Sequence, residues 1–287
     1  MTRILPRLRD IAEDYDALLC DVWGVIHNGR KAFAEAVEAL CAFRQQRGPV
    51  ILLTNAPRPS AEIPRQLERL GVNAAAYDAI VTSGDATRSE IEARAPGPAY
   101  MLGPDRDEPL LDGLRLDRAP ALGAAKFILC TGLENDETER PEDYRELLSQ
   151  AQARDLEMVC ANPDLVVRRG DRLIPCGGAL AQIYERLGGR VVYAGKPHPP
   201  IYQQAFDRLG AIAGREIPRR RILALGDGIE TDIAGAARQG LDAVFIAAGI
   251  HGAAARGRDG RLDPAGLVRL FGPYEQNIIG AMEELAW

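Results

Sequence analysis

The chain has 287 residues, 46% hydrophobic and 26% charged, with glycine and proline dispersed, which suits one large or two moderate domains with real cores. Its 35 basic and 41 acidic side chains leave a net charge of −6, so bulk electrostatics draw it neither to nucleic acid nor to an anionic membrane. Five cysteines (Cys20, Cys41, Cys130, Cys160 and Cys176) form no Cys-x-x-Cys pair and mostly lie in apolar runs, the usage of reduced core residues in a cytoplasmic protein.

Residues 1–16 alternate charges with isolated apolar side chains and hold no continuous apolar core of signal-peptide length. No stretch of the chain reaches the roughly 18 apolar residues of a membrane span. The first fifteen residues read as a short helix leading into Ala17-Leu18-Leu19-Cys20, an apolar run that ends on Asp21 and is broken by Gly24. Such a run is a strand of a parallel sheet covered on both faces, and a carboxylate at its end needs solvent or a cation. In open α/β sheets that place is the crevice at the carboxyl ends of the strands. A lone strand-end aspartate is still more often an exposed turn residue.

After the turn His27-Asn28-Gly29, an apolar stripe at Phe33, Val37, Leu40, Cys41 and Phe43 predicts a helix over 32–46, stopped by Gly48-Pro49. Val50-Ile51-Leu52-Leu53 predicts a second strand running into Thr54-Asn55, and Ser60 is placed to cap the helix that ends at Gly71. Alone, Thr54 and Asn55 are turn chemistry. Ala79-Ile80-Val81-Thr82 predicts a third strand, and Ser83-Gly84-Asp85 opens a helix ending near Pro96. This alternation is the mark of βαβ units.

From Pro98 the rhythm changes. Strands are expected at 100–102, 126–130 and 158–161, a helix at 141–153, a hairpin over 165–175 turning at Gly170-Asp171, and a helix at 179–187. Residues 85–190 therefore read as an inserted α/β domain, with 1–84 and 191–287 forming the main one. The first rhythm resumes at Val191-Val192-Tyr193-Ala194 and leads to Lys196 in a Gly/Pro loop, where a solvated lysine is the commoner reading for that residue alone. A helix at 201–209 precedes the strand Ile222-Leu223-Ala224-Leu225, which ends in Gly226-Asp227-Gly228, with Asp232 shortly after. A strand at 241–247 and terminal helices at 263–271 and 274–287 complete the expected order.

Four strand ends thus carry Asp21, Thr54-Asn55, Lys196, and Asp227 with Asp232. Three gathered carboxylates repel one another unless a cation is present. Oxygen-only ligands point to Mg²⁺, which borrows further oxygens from phosphate. Metal, lysine and hydroxyl are the parts of phosphoryl transfer. With no serine, cysteine or histidine motif in position, Asp21 is the candidate nucleophile, forming an aspartyl-phosphate.

Asp21-Val22-Trp23-Gly24-Val25, Thr54-Asn55, Lys196-Pro197 and Gly226-Asp227-Gly228-Ile229-Glu230-Thr231-Asp232 resemble the four motifs of the haloacid dehalogenase superfamily, in order and over the whole chain. The insert, with Ala161-Asn162-Pro163-Asp164 near its end, resembles the large cap of the NagD-like class IIA branch. The resemblance implies an α/β fold with a Rossmann-like parallel core and an inserted cap. It implies Asp21 as nucleophile and Mg²⁺ ligand, Thr54 and Lys196 holding the phosphoryl group, Asp227 ligating Mg²⁺ and Asp232 supporting the metal. Asn55 is an added phosphate or substrate contact, and Asn162, Asp164 and Arg168 are cap contacts to the leaving group. Class IIA relatives often pair through their caps, which raises a homodimer as one arrangement.

Trp23 departs from the pattern, because family phosphatases carry there a second aspartate that acts as general acid and base. Its backbone carbonyl can still ligate Mg²⁺, but the indole offers no proton chemistry. The expectation is a slow Mg²⁺-dependent phosphatase of small phosphorylated metabolites, sugar-phosphate or nucleotide-like. The alternative is a non-hydrolytic phosphate-ligand binding or sensing protein, or a phosphotransferase.

Overall fold

In the computed structural model, which describes residues 3–287, the apolar runs become parallel strands buried on both sides. In chain order these are β1 (Ala17–Cys20), β2 (Val50–Thr54), β3 (Ala79–Thr82), β4 (Ala99–Leu102), β5 (Phe127–Cys130) and β6 (Glu157–Cys160). The hairpin β7 (Val166–Arg169) and β8 (Arg172–Pro175) follows, then β9 (Arg190–Tyr193), β10 (Ile222–Gly226), β11 (Asp242–Ile246) and β12 (Ile278–Met282). The helices are α1 (Ala34–Gln46), α2 (Ile63–Leu70), α3 (Ser83–Glu92), α4 (Arg145–Gln152), α5 (Gly177–Arg186), α6 (Pro199–Ala213), α7 (Ala234–Gln239) and α8 (Pro264–Phe271).

Among the described residues the larger sheet has the order β12-β11-β10-β1-β2-β3, all parallel. Successive strand residues point to opposite faces. Leu18, Cys20, Val50 and Leu52 accordingly join one core with Val37, Leu40 and Phe43 of α1. Ala17, Leu19, Ile51 and Leu53 join another with Ile201, Ala205 and Leu209 of α6. The β2 side chains Val50 to Leu53 are each at most 3% exposed, and burying such a side chain contributes roughly 1.5–3 kcal/mol. This is the Rossmann-like α/β architecture expected from the sequence.

The insert forms a second parallel sheet, β4-β5-β6-β9, with α4 and α5 on one face. Its other face is covered in part by Ile91, near the end of α3, so that helix starts on the larger sheet and finishes against the smaller one. The hairpin β7–β8 stands apart as a two-stranded sheet. All five cysteines are free; four are buried and Cys41 is half-buried.

Several sequence expectations are corrected. The run at 191–194 does not return the chain to the main sheet: β9 pairs with β6, and the smaller sheet ends only at Tyr193. The expected terminal helix over 274–287 is instead a 3₁₀ segment, Gly272–Asn277, followed by β12. There the free edge of β11 takes up Ile278 and Gly280, and Leu5 with Arg3 hydrogen-bonds to Ala281 on the other side. Those partners are remote in sequence, and pairing overrides the helical propensity of the Ala-Met-Glu-Glu-Leu tail. The described part of the first fifteen residues makes short 3₁₀ turns, Leu8–Asp10 and Ala12–Asp14, rather than a helix. Ser60 makes no cap bond and opens a 3₁₀ turn ahead of α2. The helix expected from 141 begins with a 3₁₀ turn, Pro141–Tyr144, before α4.

Candidate active site

The chain leaves β1 toward β2 and β3 on one side and later builds β10 to β12 on the other, so β1 and β10 flank the point where strand order reverses. Asp21 follows β1, Thr54 ends β2, Asp227 follows β10, and Asp232 sits in one π-helical turn, Ile229–Ile233, that leads into α7. Lys196 lies in the loop between β9 and α6. Asp21, Trp23, Thr54, Asp164, Arg168, Lys196, Asp227 and Asp232 line one small cavity.

Lys196 Nζ stands 2.6 Å from Asp21 Oδ1 and 2.6 Å from Asp232 Oδ1, and all three side chains are buried. Asn55 fixes that lysine from behind: its Oδ1 accepts from Lys196 N at 2.8 Å and its Nδ2 donates to Lys196 O at 3.1 Å. The same Nδ2 donates to Asp164 Oδ1 at 2.8 Å, joining the main sheet to the insert. Asp232 Oδ2 accepts from Gly228 N at 3.0 Å, and Asp227 Oδ2 accepts from Ile250 N at 2.8 Å. Glycine is required around Asp227, because a Cβ on Gly24 or Gly249 would lie 2.3 or 1.6 Å from its Oδ2.

Carboxylate oxygens of Asp21, Asp227 and Asp232 lie within 4.8 Å of one another. Burial and the charge of Asp232 push the Asp21 carboxyl well up, and the same causes lift Asp227 to about 7. Burial would lower the Lys196 ammonium, but Asp21, Asp232 and Asp164 outweigh it and raise it. Three buried carboxylates against one ammonium leave an excess of negative charge that a hard divalent cation relieves. The donor set therefore fits Mg²⁺, which would supply positive charge beside an incoming phosphoryl group.

Trp23 is half-buried, its indole edge-on to His27 at 4.8 Å between ring centroids. Gly29 lies under that ring, where a Cβ would come within 2.5 Å of it. The hairpin tip docks on the loop that follows, Gly170 N donating to Asn28 O at 2.9 Å. This clamp holds β7 over the site, so Val166, Val167 and Arg168 become walls of the cavity. Arg168 Nε is buried with no hydrogen-bond partner among the described residues. Asn162 is not in this cavity; it lines an adjoining cleft that shares Trp23, Thr54 and Asp164 with it. That cleft also contains Arg58, Arg106, Asp107, Asp136 and Arg169, which sequence reasoning missed. Only the Pro57-Arg58-Pro59 loop, rigid and directly after the Thr54-Asn55 strand end, carried a usable signal.

A parallel α/β core with three carboxylates and a lysine at its switch point defines a class of phosphoryl-handling enzymes. The chain matches the family described as haloacid dehalogenase-like hydrolase over residues 18–116, and the one described as HAD-hydrolase-like over residues 193–268. A crystal structure of a haloacid dehalogenase-like hydrolase from Brucella suis 1330 is 43% identical, with a TM-score of 0.88, covering 99% of this chain and 100% of that one. D-glycerol 3-phosphate phosphatase of Mycobacterium tuberculosis is 28% identical, covering 86% of this chain and 67% of its own. A structure of the mycobacterial glycerol phosphate phosphatase with calcium has a TM-score of 0.61 at 25% identity, covering 84% of this chain and 68% of that one. Ribonucleotide monophosphatase NagD of Escherichia coli is 25% identical, covering 81% and 88%. The chain belongs to the haloacid dehalogenase-like hydrolases, in their NagD-like class IIA branch, and is a phosphatase-type enzyme. No helix among the described residues is long and apolar enough to cross a membrane.

Proposed function

We propose that this enzyme is a Mg²⁺-dependent phosphatase of small phosphorylated metabolites, working through an aspartyl-phosphate at Asp21. The observation that carries the reading is Lys196 Nζ at 2.6 Å from Asp21 Oδ1, inside a buried cavity that also holds Thr54, Asp227 and Asp232. An Asp21 oxygen attacks phosphorus, the bond from phosphorus to the ester oxygen breaks, and the departing alkoxide takes a proton from water. A second water then attacks phosphorus and releases phosphate, regenerating the Asp21 carboxylate. Lys196 and the Thr54 hydroxyl hold the phosphoryl oxygens, Arg168 covers them from the hairpin, and Asn55 positions Lys196. Asp21, Asp227, Asp232 and the Trp23 carbonyl would hold the cation, which would supply positive charge beside the phosphoryl group, with Asp164 and Asn162 facing the leaving group from the cap, residues 85–193. That the related mycobacterial phosphatase has been crystallised in complex with calcium and with magnesium supports the use of a divalent cation.

Trp23 supports slow turnover, because no side chain at that position gives a proton to the leaving group or takes one from the attacking water. The same residue favours the second reading, a phosphotransferase or phosphate-ligand sensor in which water does not complete the reaction. Incubating the protein with Mg²⁺ and a panel of phosphate esters, with ³²P trapping on Asp21, separates the two. Phosphate release with labelled Asp21, both lost in a folded Asp21→Asn variant, is the expected result. Labelled enzyme without phosphate release establishes the second reading, and neither signal from any ester, p-nitrophenyl phosphate included, overturns both.

A further inference from the structure

The cleft beside the reaction cavity contains three guanidinium groups that no step above uses. Arg58 comes from the loop after β2, Arg106 from the 3₁₀ segment Asp105–Leu111 of the insert, and Arg169 from the end of β7. Asp136 is held by two of them, with Arg106 Nη2 2.6 Å and Arg169 Nη2 2.9 Å from its Oδ2. Arg58 Nε is 4.0 Å from Asp107 Oδ1, and its Nη2 donates to Gln66. With Asp164, whose carboxylate is taken up by Asn55, three carboxylates line the cleft against three guanidinium groups, so the charges balance while most of the N–H donors stay unpaired. Each guanidinium carries five N–H donors. Among the described residues, Arg58 and Arg106 each make one hydrogen bond and Arg169 makes two, both to Asp136.

The cleft shares Trp23, Thr54 and Asp164 with the cavity that holds Asp21, so it adjoins the place where a phosphoryl group would meet Asp21 and can take the rest of such an ester. Among the described residues Trp23 is its only aromatic wall, which gives a flat base little to stack on. Unused guanidinium donors arranged around one cleft suit a carboxylate or phosphate, which accepts from such forks in pairs.

We propose that the preferred substrates carry a second anionic group, a carboxylate or a second phosphate, on the leaving group, bound by Arg58, Arg106 and Arg169. This rests on the phosphatase reading and narrows it. Neutral polyol phosphates of equal size would leave the remaining N–H donors of Arg58 and Arg106 unanswered.

Matched esters test the idea: 3-phosphoglycerate against glycerol 3-phosphate, and fructose 1,6-bisphosphate against fructose 6-phosphate. For each pair kcat/KM is measured with Mg²⁺ on wild type, Arg106→Gln, Arg106→Lys and the Arg58→Gln/Arg106→Gln double variant. Hydrogen bonds between charged groups predict a roughly tenfold to hundredfold advantage for the charged member of at least one pair, mainly in KM. The pair that shows it tells carboxylate from phosphate. The advantage should fall to about threefold or less in the double variant, and Arg106→Lys should recover part of it. The Arg106 side chain is 53% exposed and Arg169 still pairs with Asp136 when Arg106 is replaced, and melting curves check that each variant is folded. A purely structural network would lower the melting temperature and leave the ratio alone. Phosphate release with equal kcat/KM in both pairs, or a ratio unchanged in the double variant, overturns the proposal. Dissociation constants for the same compounds, from calorimetry on wild type, read the preference even without turnover. No phosphate release together with a retained binding ratio would then overturn the phosphatase reading alone, and no binding ratio either would overturn this inference with it.

Discussion

Lys196 Nζ is equidistant, at 2.6 Å, from Asp21 Oδ1 and Asp232 Oδ1, so one ammonium ties the end of β1 to the turn after β10. Removing it leaves buried carboxylates facing each other. Breaking a buried ion pair by deleting one partner typically costs roughly 3–5 kcal/mol. Lys196→Met should therefore melt well below wild type in chelator and recover much of the difference in Mg²⁺, while phosphatase turnover stays lost. A melting temperature equal to wild type without metal would show that the lysine does not balance these carboxylates.

The Asp227 carboxyl, lifted to about 7 by burial and by Asp232, makes cation binding sensitive to acid. Above that value the carboxylate is ionised and open to a cation; below it, a proton occupies the same oxygens. Affinity for Mg²⁺ should fall by about tenfold between pH 8 and pH 6. Asp227→Ala should weaken Mg²⁺ binding more than Asp232→Ala, because Asp232 already accepts from Lys196 and Gly228 N. Calorimetric titration checks both, and identical affinities at the two pH values would contradict the first.

Trp23→Asp places a carboxyl where the indole now fills the space against Gly29 and His27. A positioned general acid contributes typically about 10²–10⁴-fold. Alkyl phosphates, which need protonation as they leave, should gain more than p-nitrophenyl phosphate, which does not. Equal changes for the two substrate types would leave Trp23 as packing alone.

Buried His27 accepts from Gly29 N through Nδ1 at 3.0 Å, while its Nε2 has no partner among the described residues. Burial lowers its pKa to about 4, so the folded protein resists the proton that the unfolded chain accepts near the ordinary value of about 6.5. Its contribution to stability is complete above pH 6.5 and is lost as pH falls toward 4, by roughly 3 kcal/mol over that window. Asp227 acts in the opposite sense without metal, since its raised carboxyl gains stability on protonation. The comparison to make is wild type against His27→Gln in urea melts. The stability gap should shrink with acid, and a gap constant from pH 7 to pH 4 would refute the assignment.

The alternation of strands and helices, the doubly covered sheet and the placement of Asp21, Thr54 and Asp227 were legible in the linear order of residues. Each is written locally, as an apolar run of strand length followed by one polar side chain, and a parallel sheet aligns the carboxyl ends of its strands. Lys196, by contrast, follows a strand of the smaller sheet and is brought to them by Asn55. What the chain order does not carry is pairing between distant segments. That β9 extends the smaller sheet, and that Ile278–Met282 is a strand held between β11 and residues 3–5, depends on free edges that local propensity does not report. The same holds for the cleft. Arg58, Arg106 and Arg169 lie on three separate elements and look like ordinary surface arginines one by one. They converge only because the hairpin tip docks through Gly170 on Asn28, and Asn55 reaches Asp164 across the two sheets. Residues at strand ends were determined by the sequence, whereas the wall facing them was decided by tertiary contacts between segments more than 100 residues apart, which no local pattern encodes.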